Sequence, residues 1–117
     1  MQSDLDYSQV IQNSYNEKGN NINVGNACST SNITRVASST SNTVLLVANS
    51  TRRSVIFFNE STSICYICFG AGASTTNYTV QIPANSSLIV NAVNYTGEFD
   101  AVWSSANGAM QITELTQ

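Results

Sequence analysis

Residues 43–70, TVLLVANSTRRSVIFFNESTSICYICFG, hold three short apolar runs separated by polar breaks, and this rhythm constrains the fold more than any other feature of the chain. The first run, Thr43–Ala48, ends at the turn-forming cluster Asn49–Arg53. The second, Ser54–Phe58, ends at Asn59–Ser63, and the third, Ile64–Phe69, ends at Gly70-Ala71-Gly72. Apolar runs of about 4–8 residues bounded in this way read as strands. Their β-branched and aromatic residues suit a pleated surface. Side chains alternate along a strand, so Val55 and Phe57 share one face while Ile56 and Phe58 share the other. Both faces are apolar. Such a strand is either central and covered on both sides, or it turns one face toward another subunit.

Upstream, residues 1–18 follow a different pattern. Tyr7, Val10, Ile11 and Tyr15 recur at helical spacing and form one apolar stripe. Ser3 or Asp4 can cap such a helix, and Lys18 followed by Gly19 can close it. A helix this short is marginal alone. Its stripe must dock, either on its own domain or on a partner as an anchor. Residues 19–32, rich in Asn, Ser and Gly, read as a linker. The β-domain is then expected over residues 33–117, beginning with a strand from Ile33 to Ser38.

Beyond Gly72 the strand signals continue. Tyr78, Val80 and Ile82 alternate with polar residues until Pro83, which cannot donate to a ladder. Ser87–Val90 is a short strand, and Asn94–Gly97 a turn. Phe99, Ala101 and Trp103 share one face, with Asp100 opposite. Asn107-Gly108 is a strong hairpin signal and is expected to join the Trp103 strand to Ala109–Leu115. About eight strands at this spacing predict an antiparallel sandwich or barrel.

Composition narrows the function. The chain has 117 residues, enough for one domain. Only 9 % are charged, and the net charge is −3 with 4 Lys+Arg, so no electrostatic footprint for nucleic acid or a polybasic membrane contact is expected. No apolar run approaches the roughly 20 residues that cross a bilayer. The acidic start MQSDLDYSQ is unlike a signal peptide, and synthesis in a cytosol is expected.

Candidate chemistry is sparse. There is no histidine, which removes His-dependent triads and His-ligated metals. Cys65 and Cys68 have CxxC spacing, but in one strand they fall on opposite faces, so they read as small hydrophobes rather than ligands. Glu98 and Asp100 share a strand face and can pair. That pair suits a solvated face or a weak calcium site better than a glycosidase dyad. The Gly70–Ser74 sequence lacks the helix and lysine of a phosphate loop and reads as a turn. Arg52 and Arg53 fall in an expected turn, as a solvated tip or as an intersubunit contact together with Ile56 and Phe58. The Asn-x-Ser/Thr sequons at Asn32, Asn49, Asn59, Asn77, Asn85 and Asn94 are expected to stay unmodified. No catalytic residue, metal or cofactor is expected.

Three segments carry a resemblance: VASSTSNTVLLVANSTRRSVIFFNEST, FGAGASTTNYTVQIPANSSLIV and YTGEFDAVWSSANGAMQITEL. Together they resemble small virion proteins of tailed bacteriophages, and DLDYSQVIQNSYNE resembles the leading attachment segment of such proteins. The resemblance implies a jelly-roll-like β-sandwich and a non-enzymatic virion subunit made in the bacterial host cytoplasm. It would be a capsid decoration (cement) protein or a head or neck fibre. A homotrimer attached to major capsid or portal/neck proteins is expected, with the stripe Tyr7, Val10, Ile11 and Tyr15 as anchor. The other reading is a fibre-tip or tail module that binds host-surface glycan through Tyr78, Tyr95, Phe99 and Trp103.

Overall fold

The computed structural model describes residues 27–117. Within them the chain forms eight strands and no helix: β1 (Thr30–Ala37), β2 (Thr43–Leu46), β3 (Arg52–Glu60), β4 (Cys65–Phe69), β5 (Val80–Ile82), β6 (Ser87–Asn91), β7 (Phe99–Trp103) and β8 (Ala109–Thr116). They build two four-stranded sheets. Sheet one has the order β1-β8-β3-β6 and sheet two the order β2-β7-β4-β5. Every strand pairing is antiparallel. The pairs nest in sequence: β1 with β8, β2 with β7, β3 with β6 and β4 with β5.

The core draws on both sheets. Sheet one contributes Val55, Phe57, Val90, Met110 and Ile112, and sheet two contributes Leu45, Cys65, Ile67, Ile82, Phe99, Ala101 and Trp103. Phe57 meets Phe99 edge-on across the middle, ring centroids 4.9 Å apart, a geometry that suits the ring quadrupoles. Alternation therefore sorts the central strand as expected. Val55 and Phe57 enter the core, and Ile56 and Phe58 face outward.

Several boundaries differ from the sequence pattern. β1 begins at Thr30, three residues before the expected start and inside the expected linker. Its side chains are almost all exposed, so no apolar alternation marks it. Its register with β8, from Thr30↔Thr116 to Ala37↔Ala109, makes it a strand. β2 stops at Leu46 after a bulge, leaving Val47 exposed. Asn107-Gly108 does not close a hairpin, because β7 and β8 lie in different sheets. Neither residue has positive φ. Gly108 instead sits where a Cβ would run into the Glu60 carbonyl oxygen and Ser61. The expected helix over residues 1–18, with Tyr7, Val10, Ile11 and Tyr15, lies outside the described residues.

Candidate functional site

The outer face of sheet one carries apolar side chains that the described residues leave exposed. Strand register places Ile33, Thr113, Ile56 and Ile89 in one row across all four strands, β1-β8-β3-β6. Ile33 and Ile89 are each 61 % exposed. The next row, Arg35-Gln111-Phe58-Ser87, adds Phe58 at 36 %. The row on the other side, Ser31-Leu115-Ser54-Asn91, adds Leu115. At one corner of the face Arg35 pairs with Glu60. Sequence reading found Ile56 and Phe58 but missed Ile33 and Ile89. Only the register, which brings β1 and β6 to opposite edges of one sheet, assembles them into a surface.

Arg52 departs most from its expected place. The turn reading put it in solvent or against a second subunit. It begins β3 and is 0 % exposed. Its Nε donates to Glu114 Oε2 at 2.9 Å, Nη1 to the Gly97 carbonyl at 3.0 Å and Nη2 to the Val47 carbonyl at 2.7 Å. The guanidinium also lies 5.1 Å from the Phe99 ring centroid. Three of its N–H groups are thus bonded within its own chain, and the side chain is buried among the described residues. Arg53 is half-buried and donates to Gln117 and to the Arg52 carbonyl.

Sheet two is covered differently. The loop after β4 folds back over its outer face, using positive φ at Gly70 (138°) and Gly72 (80°). Gly72 N donates to Asp100 Oδ2 at 3.0 Å, and Ala73 N to Asn42 Oδ1 at 2.6 Å. Asp100 is 1 % exposed as a result. Its Oδ1 has no donor partner. The neighbouring Glu98 carboxyl has its pKa raised, first by its hydrogen bond to Asp100, then by desolvation and by the charge of Asp100. Asp100 is the buried member of the two, and Glu98 is half-buried. Among the described residues no three His, Cys, Asp or Glu side chains gather as a metal site.

The two CxxC cysteines split across β4. Cys65 lies in the core, where burial pushes its thiol up to about 12. Cys68 is on the opposite face, cross-strand from Asp100. The aromatic groove expected for a glycan is not assembled. Phe99 and Trp103 are buried. The Trp103 indole donates to Asn59 Oδ1 at 3.1 Å. Tyr95 stacks on Phe69 at 5.2 Å, and Tyr78 meets Tyr66 at 5.1 Å. Asn59, the first residue of a sequon, is itself fully buried.

No family model matches the chain, and no curated protein or solved structure matches it.

Proposed function

We propose that the chain is a non-enzymatic structural subunit of a tailed-bacteriophage virion, a capsid decoration protein or a head or neck fibre. It acts by surface complementarity, as a homotrimer that contacts major capsid or portal/neck proteins and attaches through residues 1–18. The nested pairing of β1 with β8 through β4 with β5 is what a long antiparallel hairpin yields when it winds on itself. This nesting supports a jelly-roll-like sandwich, an architecture used by viral capsid and lectin domains. Fold alone leaves both roles open, and the exposed surface favours the first.

The observation that carries the reading is the apolar outer face of sheet one, where among the described residues Ile33, Phe58 and Ile89 are exposed and Ile56 is half-buried. Contiguous apolar patches on small domains mark protein contacts. A sugar site needs exposed aromatic faces, and of the four aromatics expected for it only Tyr78 is exposed. Binding only the assembled particle would stabilise that state by mass action.

Immunogold electron microscopy of intact virions tests the reading. Label over the head identifies a decoration protein, and label at the neck or tail identifies a fibre. Particles that carry no label overturn the virion assignment. Deleting residues 1–18 is expected to leave the β-domain folded and to abolish incorporation; normal incorporation removes the anchoring role.

A further inference from the structure

We propose that the open edge of β1 is a self-association strand, on which a second copy of this chain pairs its own β1 antiparallel, about a two-fold axis at Ile33. Sheet one ends at β1 on one side and at β6 on the other, and sheet two ends at β2 and β5. Three of these edges are short or broken. β5 has three residues and is followed at once by Pro83, β2 has four and a register shift between Val44 and Leu46, and β6 has five. β1 has eight residues in unbroken register with β8. Short strands, bulges, proline and lysine are the usual guards of a sheet edge, and β1 carries none of them. Its one charged side chain, Arg35, turns back over its own sheet to Glu60 on β3 and to Gln111 on β8.

The ladder decides which backbone groups this edge offers. Ser38 N donates to the Gly108 carbonyl at 2.9 Å, in the register of the strand. Antiparallel bonds to one neighbour recur at every second residue, so Asn32, Thr34 and Val36 bond to β8. The N–H and C=O groups of Ser31, Ile33, Arg35 and Ala37 point the other way, where among the described residues no strand meets them.

A second copy fits this edge best in one register. An axis at Ile33 sets Ile33 against the second copy's Ile33, Arg35 against its Ser31 and, on the inner face, Thr34 against its Asn32. Moving the axis to Arg35 opposes two like charges, which destabilises a cross-strand pair. Moving it to Thr34 sets Arg35 against Ile33. With the axis at Ile33, the row Ile89-Ile56-Thr113-Ile33 runs on into the same row of the second copy, and the apolar face doubles in width. A foreign strand would have to bring both the alternation and the neutral partner for Arg35, and a second copy already has them. The contact rests on the edge alone and not on the virion reading. An isologous two-fold contact joins two subunits, so in a homotrimer it would link one trimer to another.

Sedimentation equilibrium and amide hydrogen exchange of the purified full chain test the proposal together. As concentration rises, the mass is expected to double, and exchange at the Ile33 and Arg35 amides to slow by about tenfold or more. Ile33→Lys puts two like charges on the axis and is expected to abolish both effects. Ile33→Pro removes the outward N–H and nothing from the β1–β8 ladder, and is expected to do the same. An unchanged near-ultraviolet signal from Trp103 checks the fold of each. Ile89→Asp changes the far edge of the same face and is expected to leave both effects intact. A mass that never doubles, or that doubles undiminished in Ile33→Lys and Ile33→Pro, overturns the proposal. Doubling that leaves the two amides unprotected, or that Ile89→Asp abolishes, overturns it in favour of face-to-face contact. Slow exchange at these amides without doubling overturns it in favour of a cover from the same chain. None of these outcomes bears on the immunogold result, and unlabelled virions leave the edge pairing standing.

Discussion

Arg52 and Glu114, 62 residues apart in sequence, form an ion pair at 2.9 Å at the β3–β8 end of sheet one. Arg52 is wholly buried, and Asn49 Nδ2 adds a contact at 3.3 Å to the same Glu114 oxygen. The arginine also ties the chain after β2 (Val47) and the segment before β7 (Gly97) to sheet one. One side chain thus fastens segments that belong to both sheets.

Removing the arginine strands Glu114 and two backbone carbonyls. Arg52→Met is expected to cost about 3–5 kcal/mol, the range for breaking a buried pair from one side. Arg52→Met combined with Glu114→Leu should recover much of that loss, because no uncompensated charge is left. Urea unfolding of the three chains measures this. A single variant as stable as the parent would mean that the pair adds nothing.

Asn59 is a second buried hub. Its Nδ2 donates to the carbonyls of Ser63, Ile82 and Pro83 at 2.9, 2.9 and 3.2 Å. Its Oδ1 accepts from Ser61 Oγ and from the Trp103 indole. Asn59→Asp keeps the acceptor and removes the donors, at about 1–3 kcal/mol for each stranded buried group. The expected result is a lower denaturation midpoint together with changed Trp103 fluorescence. An unchanged midpoint would show that these bonds are replaceable.

Glu98 sets a pH dependence. Its pKa is raised above the ordinary 4.5 by the hydrogen bond to Asp100 first, then by desolvation and by Asp100's charge. A raised folded-state pKa gives stability that is full below the ordinary value and is lost as pH rises through the folded value. Glu98→Gln retains a donor for Asp100 and does not titrate. The variant should therefore gain stability relative to the parent as pH rises from about 4 toward neutrality. Melting temperatures of both chains across this range check it, and parallel curves would refute it.

Two glycines separate close packing from backbone freedom. At Gly108 a Cβ meets the Glu60 backbone and Ser61, so Gly108→Ala is expected to cost about 1–3 kcal/mol through overpacking. At Gly72 the space is open and only the φ of 80° resists a side chain. Gly72→Ala should cost roughly 1–2 kcal/mol, the left-handed penalty for an L-residue. Trimming Ser61 to Gly should relieve part of the Gly108→Ala cost and leave the Gly72→Ala cost untouched. Thermal unfolding of the parent, of Ser61→Gly, of each glycine variant and of each double variant decides it.

The sequence by itself determined which segments extend and which way their side chains point. Alternation placed Val55 and Phe57 against Ile56 and Phe58, and it split Cys65 from Cys68. The run Phe99, Ala101 and Trp103 was legible as a core face, and Pro83 as a strand end. These are local properties, carried by the two-residue period of a strand. Pairing partners are not local. Asn107-Gly108 has the composition of a hairpin turn, yet β7 and β8 part into different sheets, and the glycine serves a close backbone approach. Arg52 sits among turn residues in sequence, and only the arrival of Glu114 on β8 makes its burial tolerable. The outer face likewise exists only after β1 and β6 take opposite edges of one sheet. Tertiary structure decided these points because a charge, a glycine or an isoleucine takes its role from what lies across the ladder, and the ladder joins residues far apart in the chain.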